Sequence, residues 1–245
     1  MKFFILFLCL ILSISRPGNA QGSLEKAKST SPTFSLSQSG SLLVKDSAGV
    51  EYETSKWQSL LMSGKYGLRL MADRKTTLIY KLSQQELNKK YENLPKPMES
   101  PYFKTGAKVS TFRESDIKGN KFSIKDLAGK IVVLNFWFIG CPPCRQEIPE
   151  LNELVEKYQD NKDVVFIAIS LDEKRDIMDF IKTTPFKYNI IDRGKYIADQ
   201  YKILNYPTNV VIGRQGSVVF HSTDFFANTV FWIGKSIDSE LSNKQ

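Results

Sequence analysis

Cys141 and Cys144, two cysteines separated by two prolines, are the residues best suited to chemistry in this 245-residue chain. A pair at this spacing can alternate between a dithiol and a disulfide, and what it does depends on the elements around it. Ile131 to Trp137 is an apolar, β-branched run that predicts a buried strand, followed by the short connection Phe138-Ile139-Gly140. Beyond Cys144 the apolar residues Ile148, Leu151, Leu154/Val155 and Tyr158 recur at helical spacing, with Gln146, Glu150, Glu153 and Lys157 on the other side. The dithiol is therefore expected at a strand-to-helix junction, on the first turn of the helix. Unpaired N–H groups there carry partial positive charge and favour a thiolate. Cys141 is the natural attacking sulfur, and Cys144, one turn in, is placed to close back on a mixed disulfide. Pro142 and Pro143 suit a helix N-terminus, where a missing N–H costs nothing.

Two other uses of the pair are disfavoured. Structural zinc wants four Cys or His ligands, and beyond residue 20 the sequence offers these two cysteines and His221. Covalent haem attachment needs His directly after the second cysteine, where Arg145 stands. Glu147 follows Cys144 by three residues and falls on the apolar stripe, so it is expected to be buried. A carboxyl in such surroundings keeps its proton to higher pH and could exchange it with Cys144.

The lead-in Gly129 to Trp137, the Cys-Pro-x-Cys dithiol, the continuation Glu147 to Leu151 and the later Tyr206-Pro207-Thr208 together resemble the thioredoxin superfamily, specifically its TlpA/ResA-type thiol-disulfide oxidoreductases. The likeness runs from about Pro101 to Leu241. It implies an α/β thioredoxin-like fold with an added N-terminal hairpin, and no bound cofactor. It also implies a cis Pro207 beside the dithiol, a Tyr206 main chain that pairs with an extended substrate, and a catalytic role for Glu147. Substrate contacts are expected from Trp137, Gly140, Pro142, Pro143, Tyr206 and Pro207. The chain departs from many relatives in two places. Asn135 stands where thioredoxins often carry a proton-relaying Asp, and Gly140 replaces a Trp before the first cysteine, which should open the rim around Cys141.

The remaining sequence sets the context. Hydrophobic residues make up 42%, an ordinary globular content, and the net charge of +8 is scattered without a nucleic-acid motif, so no nucleic-acid partner is expected. Met1 to Ala20 reads as a secretory signal: Lys2, the apolar run Phe3 to Leu12, and Gly18-Asn19-Ala20. Cys9 in that run lacks a small residue before it and is not expected to be a lipoprotein cysteine. Export leaves a protein whose only cysteines are the reactive pair, so the expected location is periplasmic or otherwise extracytoplasmic. Gln21 to Ser41 reads as a tether.

Ser41 to Asn93 predicts a small α+β accessory region. Its parts are a hairpin of Leu42 to Lys45 with Val50 to Glu53, a helix capped by Ser55, a second hairpin of Tyr66 to Met71 with Thr76 to Leu82, and a helix opened by a Ser83/Glu86 capping box. Pro95, Pro97 and Pro101 mark the boundary to the main domain. The added hairpin is expected at Val109 to Phe112 and Lys121 to Ile124. Val164 to Ser170 and Tyr188 to Ile191 read as strands, Asp172 to Lys182 and Tyr196 to Tyr201 as helices. Asn209 to Ile212 and Ser217 to Phe220 form a closing hairpin before a last helix, Asn228 to Leu241. His221 reads as a surface or hairpin histidine.

Pro142 and Pro143 remove N–H groups from between the cysteines, and Glu147 puts potential negative charge nearby, so the pair is expected to be a reductant. The resemblance implies disulfide-bearing exported proteins as clients, with cytochrome c precursors among them, and a membrane thiol donor of the DsbD/CcdA kind to recharge the dithiol. Two rival readings are a peroxiredoxin and a docking module without catalysis. The residues before Cys141 supply neither the Pro nor the Thr of a peroxiredoxin loop.

Overall fold

The computed structural model describes residues 42–243. The expected signal segment and tether lie outside the described residues. Among those described, no helix is long and apolar enough to cross a membrane.

The central sheet has five strands: β6 (Ile131–Trp137), β7 (Val164–Ser170), β8 (Asn189–Ile191), β9 (Thr208–Ile212) and β10 (Val218–Thr223). Their order is β10-β9-β6-β7-β8. The first three in sequence run parallel, while β9 is antiparallel to β6 and β10 to β9. All seven residues of β6 are buried, which is why its apolar run is unbroken where an open-faced strand would alternate. The alternation of side chains still divides it. Ile131, Val133 and Trp137 join the core formed with α3 (Pro142–Lys157), α4 (Lys174–Thr183) and α6 (Thr229–Ser242). Val132, Leu134 and Phe136 join the opposite core, with Ile197 and Ala198 of α5 (Lys195–Gln200). Asn135 takes the α3 side by the same alternation. Gly234 of α6 lies so close to α3 that a Cβ there would stand 3.1 Å from Leu154 Cδ1.

Upstream lies a three-stranded sheet, order β1-β3-β2, with two helices. Its elements are β1 (Leu43–Lys45), α1 (Thr54–Met62), β2 (Tyr66–Leu70), β3 (Thr76–Lys81) and α2 (Gln84–Asn93). The β2–β3 hairpin and the reciprocal Ser83/Glu86 capping box form as the sequence predicts. This region rests on the helices of the main domain. Lys65 pairs with Glu153 at 2.6 Å and Glu92 with Lys235 at 2.7 Å, while Asn228 Nδ2 donates to the carbonyls of Tyr91 and Pro95. The polar face of α3, expected to be wet, is thus partly covered, and Glu150 on it is held above the usual carboxylate range by burial, against the pull of Lys65.

Four expectations are corrected. The first hairpin closes its Asp46 turn but gains only the single Lys45–Glu51 bridge, because α1 starts three residues later, and β1 instead lies parallel to β3. Glu53, not Ser55, caps α1, and its side chain makes no capping bond. The added hairpin is β4 (Arg113–Ser115) with β5 (Lys121–Ser123), later than Val109 to Phe112, since Phe112 turns into the core and buried Asp116 organises the turn by accepting from Lys118 N, Asn120 N and Asn120 Nδ2. His221 is 4% exposed and accepts the Ser100 N–H on Nδ1 at 3.1 Å. Its burial follows from the segment Met98 to Ala107, which runs along the free edge of β10 through bonds at Thr223, His221 and Val218 and covers a sheet edge that would otherwise stand open.

Candidate active site

The dithiol sits at the C-terminal end of β6. The Phe138-Ile139-Gly140 connection is clamped to the end of β7: Asp172 Oδ2 accepts the Ile139 N–H at 2.7 Å and the Ser170 hydroxyl at 2.8 Å. The Cys141 N–H then bonds the Phe138 carbonyl at 3.1 Å and turns the chain into α3. Cys141 is the N-cap of that helix, with the two prolines in the first positions behind it. The Cys144 N–H donates to Cys141 Sγ at 3.2 Å, and the two cysteines form a disulfide. Cys141 is 3% and Cys144 2% exposed, and beside them in the chain Gly140 and Pro142 are exposed and Pro143 is partly so.

One turn beyond, Glu147 is 2% exposed. Its Oε2 accepts from Asn209 Nδ2 at 3.1 Å, and Asn209 Oδ1 accepts from Asn135 Nδ2 at 2.9 Å. Oε1 has no partner among the described residues. Burial pushes the carboxyl up to about 8, opposed by the Asn209 amide and assisted by Glu150. Glu147 in turn helps burial to hold the Tyr188 hydroxyl well above its usual range. A buried acid one turn from Cys144 on the same face of the helix is suited to exchange a proton with that residue once the pair is reduced.

The Tyr206–Pro207 peptide bond is cis, and Pro207 is buried. Tyr206 is half-buried and packs edge-on against Phe138, ring centroids 5.4 Å apart; the Phe138 ring also lies beside Gly140, 3.5 Å from where its Cβ would be. The opening left by the missing Trp is therefore lined by Phe138. Trp137, expected to contact substrate, is 1% exposed and packed on Phe180 and Phe186; the alternation of β6 turns it into the core below the dithiol. Sequence reasoning passed over Asp172, Phe138, Tyr188 and Asn209. Only Asn209 left a visible signal, a polar residue directly ahead of the apolar run Val210 to Ile212 in a buried strand. Among the described residues no three His, Cys, Asp or Glu side chains gather as a metal site.

A cysteine pair capping a helix at the end of the middle strand of a mixed sheet, with a cis proline leading into the neighbouring strand, is an arrangement suited to thiol-disulfide exchange. Residues 105–221 match the AhpC/TSA family. Over 116 residues the chain is 39% identical to the thiol-disulfide oxidoreductase ResA of a Bacillus cereus strain, a stretch covering 46% of this chain and 66% of that relative. It is 32% identical over 115 residues to the thioredoxin-like protein YneN of Bacillus subtilis, covering 46% of this chain and 68% of YneN. A solved structure from Chlorobium tepidum, assigned as the thiol:disulfide interchange protein DsbE, superposes with a TM-score of 0.52 at 27% identity, over 57% of this chain and 99% of that one. The chain belongs to the thioredoxin-like family. It spans just under two thirds of the length of the ResA relative, at 66%.

Proposed function

We propose that the protein is a thiol-disulfide oxidoreductase that reduces disulfides in exported proteins, working outside the cytoplasm. The observation that carries this reading is the dithiol at the N-terminus of α3 with a buried carboxyl, near 8, one turn further along the same face.

In the reduced protein the Cys141 thiolate attacks one sulfur of the client disulfide. That bond breaks, a Cys141–client disulfide forms, and the other client sulfur leaves as a thiolate. Cys144 then passes its proton to Glu147, and its thiolate attacks Cys141 Sγ. The mixed disulfide breaks, the second client sulfur departs and takes up a proton, and the chain is left with the Cys141–Cys144 disulfide. Two electrons have moved from protein to client. The peptide groups around Tyr206, beside the cis proline, offer the extended client segment a place to pair.

The oxidised pair must be recharged by another dithiol, and a membrane thiol donor of the DsbD/CcdA kind meets that need in an exported setting. Cytochrome c precursors, which carry a cysteine pair that must be reduced before haem attaches, are the client class the family resemblance favours. The direction rests on what is missing around the thiolate. An oxidant near −120 mV owes its potential to a strongly stabilised thiolate, whereas here two prolines withhold N–H groups and Glu147 adds negative charge when ionised, so the pair is expected nearer thioredoxin's value of about −270 mV. Equilibration of the purified protein with glutathione buffers, with the thiols quantified, tests this. A potential above about −180 mV, the level of protein disulfide isomerase, would mean that it oxidises or isomerises.

A further inference from the structure

Asn135 and Asn209 are direct cross-strand partners in the β6–β9 ladder, and both are buried. Partners of this kind share a face of the sheet, and this face is the one covered by α3. A lone buried amide there would leave several donors and acceptors to satisfy, which is costly in an apolar core. The two amides and Glu147 resolve this as a chain with one direction. Asn135 Nδ2 donates to Asn209 Oδ1 at 2.9 Å, which turns Asn209 Nδ2 toward Glu147 Oε2 at 3.1 Å.

That direction has a chemical result. An oxygen already accepting an N–H is a poor place for a proton, so when Glu147 is protonated the proton belongs on Oε1, the oxygen without a partner among the described residues. We infer that Asn209, held in orientation by Asn135, is a positioning residue that decides which oxygen of Glu147 exchanges a proton with Cys144. The inference rests on the proposed role of Glu147 in the release step. The ionisable groups that act on Glu147 are Glu150 from its own helix and Tyr188 from the segment leading into β8, and Cys144 stands one turn before it on the buried face of α3. Among the described residues, β6 and β9 contribute the neutral amides of Asn135 and Asn209. Among the described residues, the Asn209 donor is thus the sole hydrogen bond opposing the burial that favours the neutral acid.

The test uses the full chain with Asn209→Leu, which keeps the branched shape and the number of heavy atoms and removes the donor. Asn135→Leu, which leaves the donor but frees its orientation, is the second variant. Two quantities are read: the pH profile of client release from the mixed disulfide, and the titration of the Glu147 side-chain carbon by NMR. With Asn209→Leu both midpoints move up by roughly one pH unit, the scale of one hydrogen bond to a carboxylate. Asn135→Leu moves them in the same direction by less, and serves alone if Asn209→Leu fails to fold. Midpoints that stay in place or fall, whatever happens to the rate, overturn the inference while leaving the role of Glu147 intact. A release profile unchanged by Glu147→Gln overturns instead the reading on which the inference rests.

Discussion

Replacing Glu147 by Gln should make the protein more stable and less active at once. The folded protein holds this carboxyl near 8, against an ordinary value of 4.5, chiefly by burial. A raised folded pKa means that the unfolded chain releases the proton first. Stability from this group is therefore complete below pH 4.5 and is lost as the pH rises through about 8. Each pH unit in that window costs about 1.4 kcal/mol, so at pH 7 the wild type gives up about 3 kcal/mol relative to a side chain that never ionises. Gln is that side chain: it matches the shape of Glu and keeps an oxygen for Asn209. Urea unfolding of the oxidised wild type and variant, at half-unit steps from about pH 4.5 to 8.5, isolates the difference from all other titrating groups. The two should agree at the acid end, with the variant ahead by about 3 kcal/mol at pH 7. Release of client from the mixed disulfide should slow by about tenfold or more, the low side of what a positioned proton acceptor contributes. Parallel stability curves across the window would refute the argument, since Glu147 would then be ionised in the fold as freely as in the unfolded chain.

A second pH dependence should arise from His221, the only histidine in the chain. Burial holds its ring below the usual 6.5, with the Glu99 carboxylate opposing, and Nδ1 must be unprotonated to accept the Ser100 N–H. Because the folded pKa is depressed, the stability it contributes is present above 6.5 and is lost as the pH falls through the folded value. A single-histidine NMR titration should give a midpoint below 6.5, with the Ser100 amide signal shifting in step; a midpoint at or above 6.5 would mean that the Met98 to Ala107 segment does not hold the ring neutral.

Much of the site could be read from the chain because its signals are local. The apolar run of β6, the cysteines at its end and the helical stripe that carries Glu147 all lie in one continuous stretch, Ile131 to Tyr158, and the 3.6-residue period alone puts Glu147 on the buried side. The Ser83/Glu86 cap and the β2–β3 and β9–β10 hairpins are legible for the same reason. What escaped depends on pairing between distant segments. Asn209 meets Asn135 only because β9 lies beside β6 in one register, and a shift of one residue would send it to the other core. The burial of His221 depends on a segment more than a hundred residues earlier in the chain. Trp137, expected to contact substrate, lies in the core instead, because a strand sends alternate residues to opposite faces. The β4 strand, Arg-Glu-Ser, has no apolar pattern to find; its place is set by Phe112 on one side and the Asp116 turn on the other.

The central claim is that Cys141 attacks and Cys144 releases. It is tested most directly by exposing the reduced Cys144→Ser variant to disulfide-bearing exported proteins and resolving the products on non-reducing gels. Covalent adducts should accumulate on Cys144→Ser, disappear on adding a thiol, and be absent from Cys141→Ser. Adducts that form equally well without Cys141 would contradict the account.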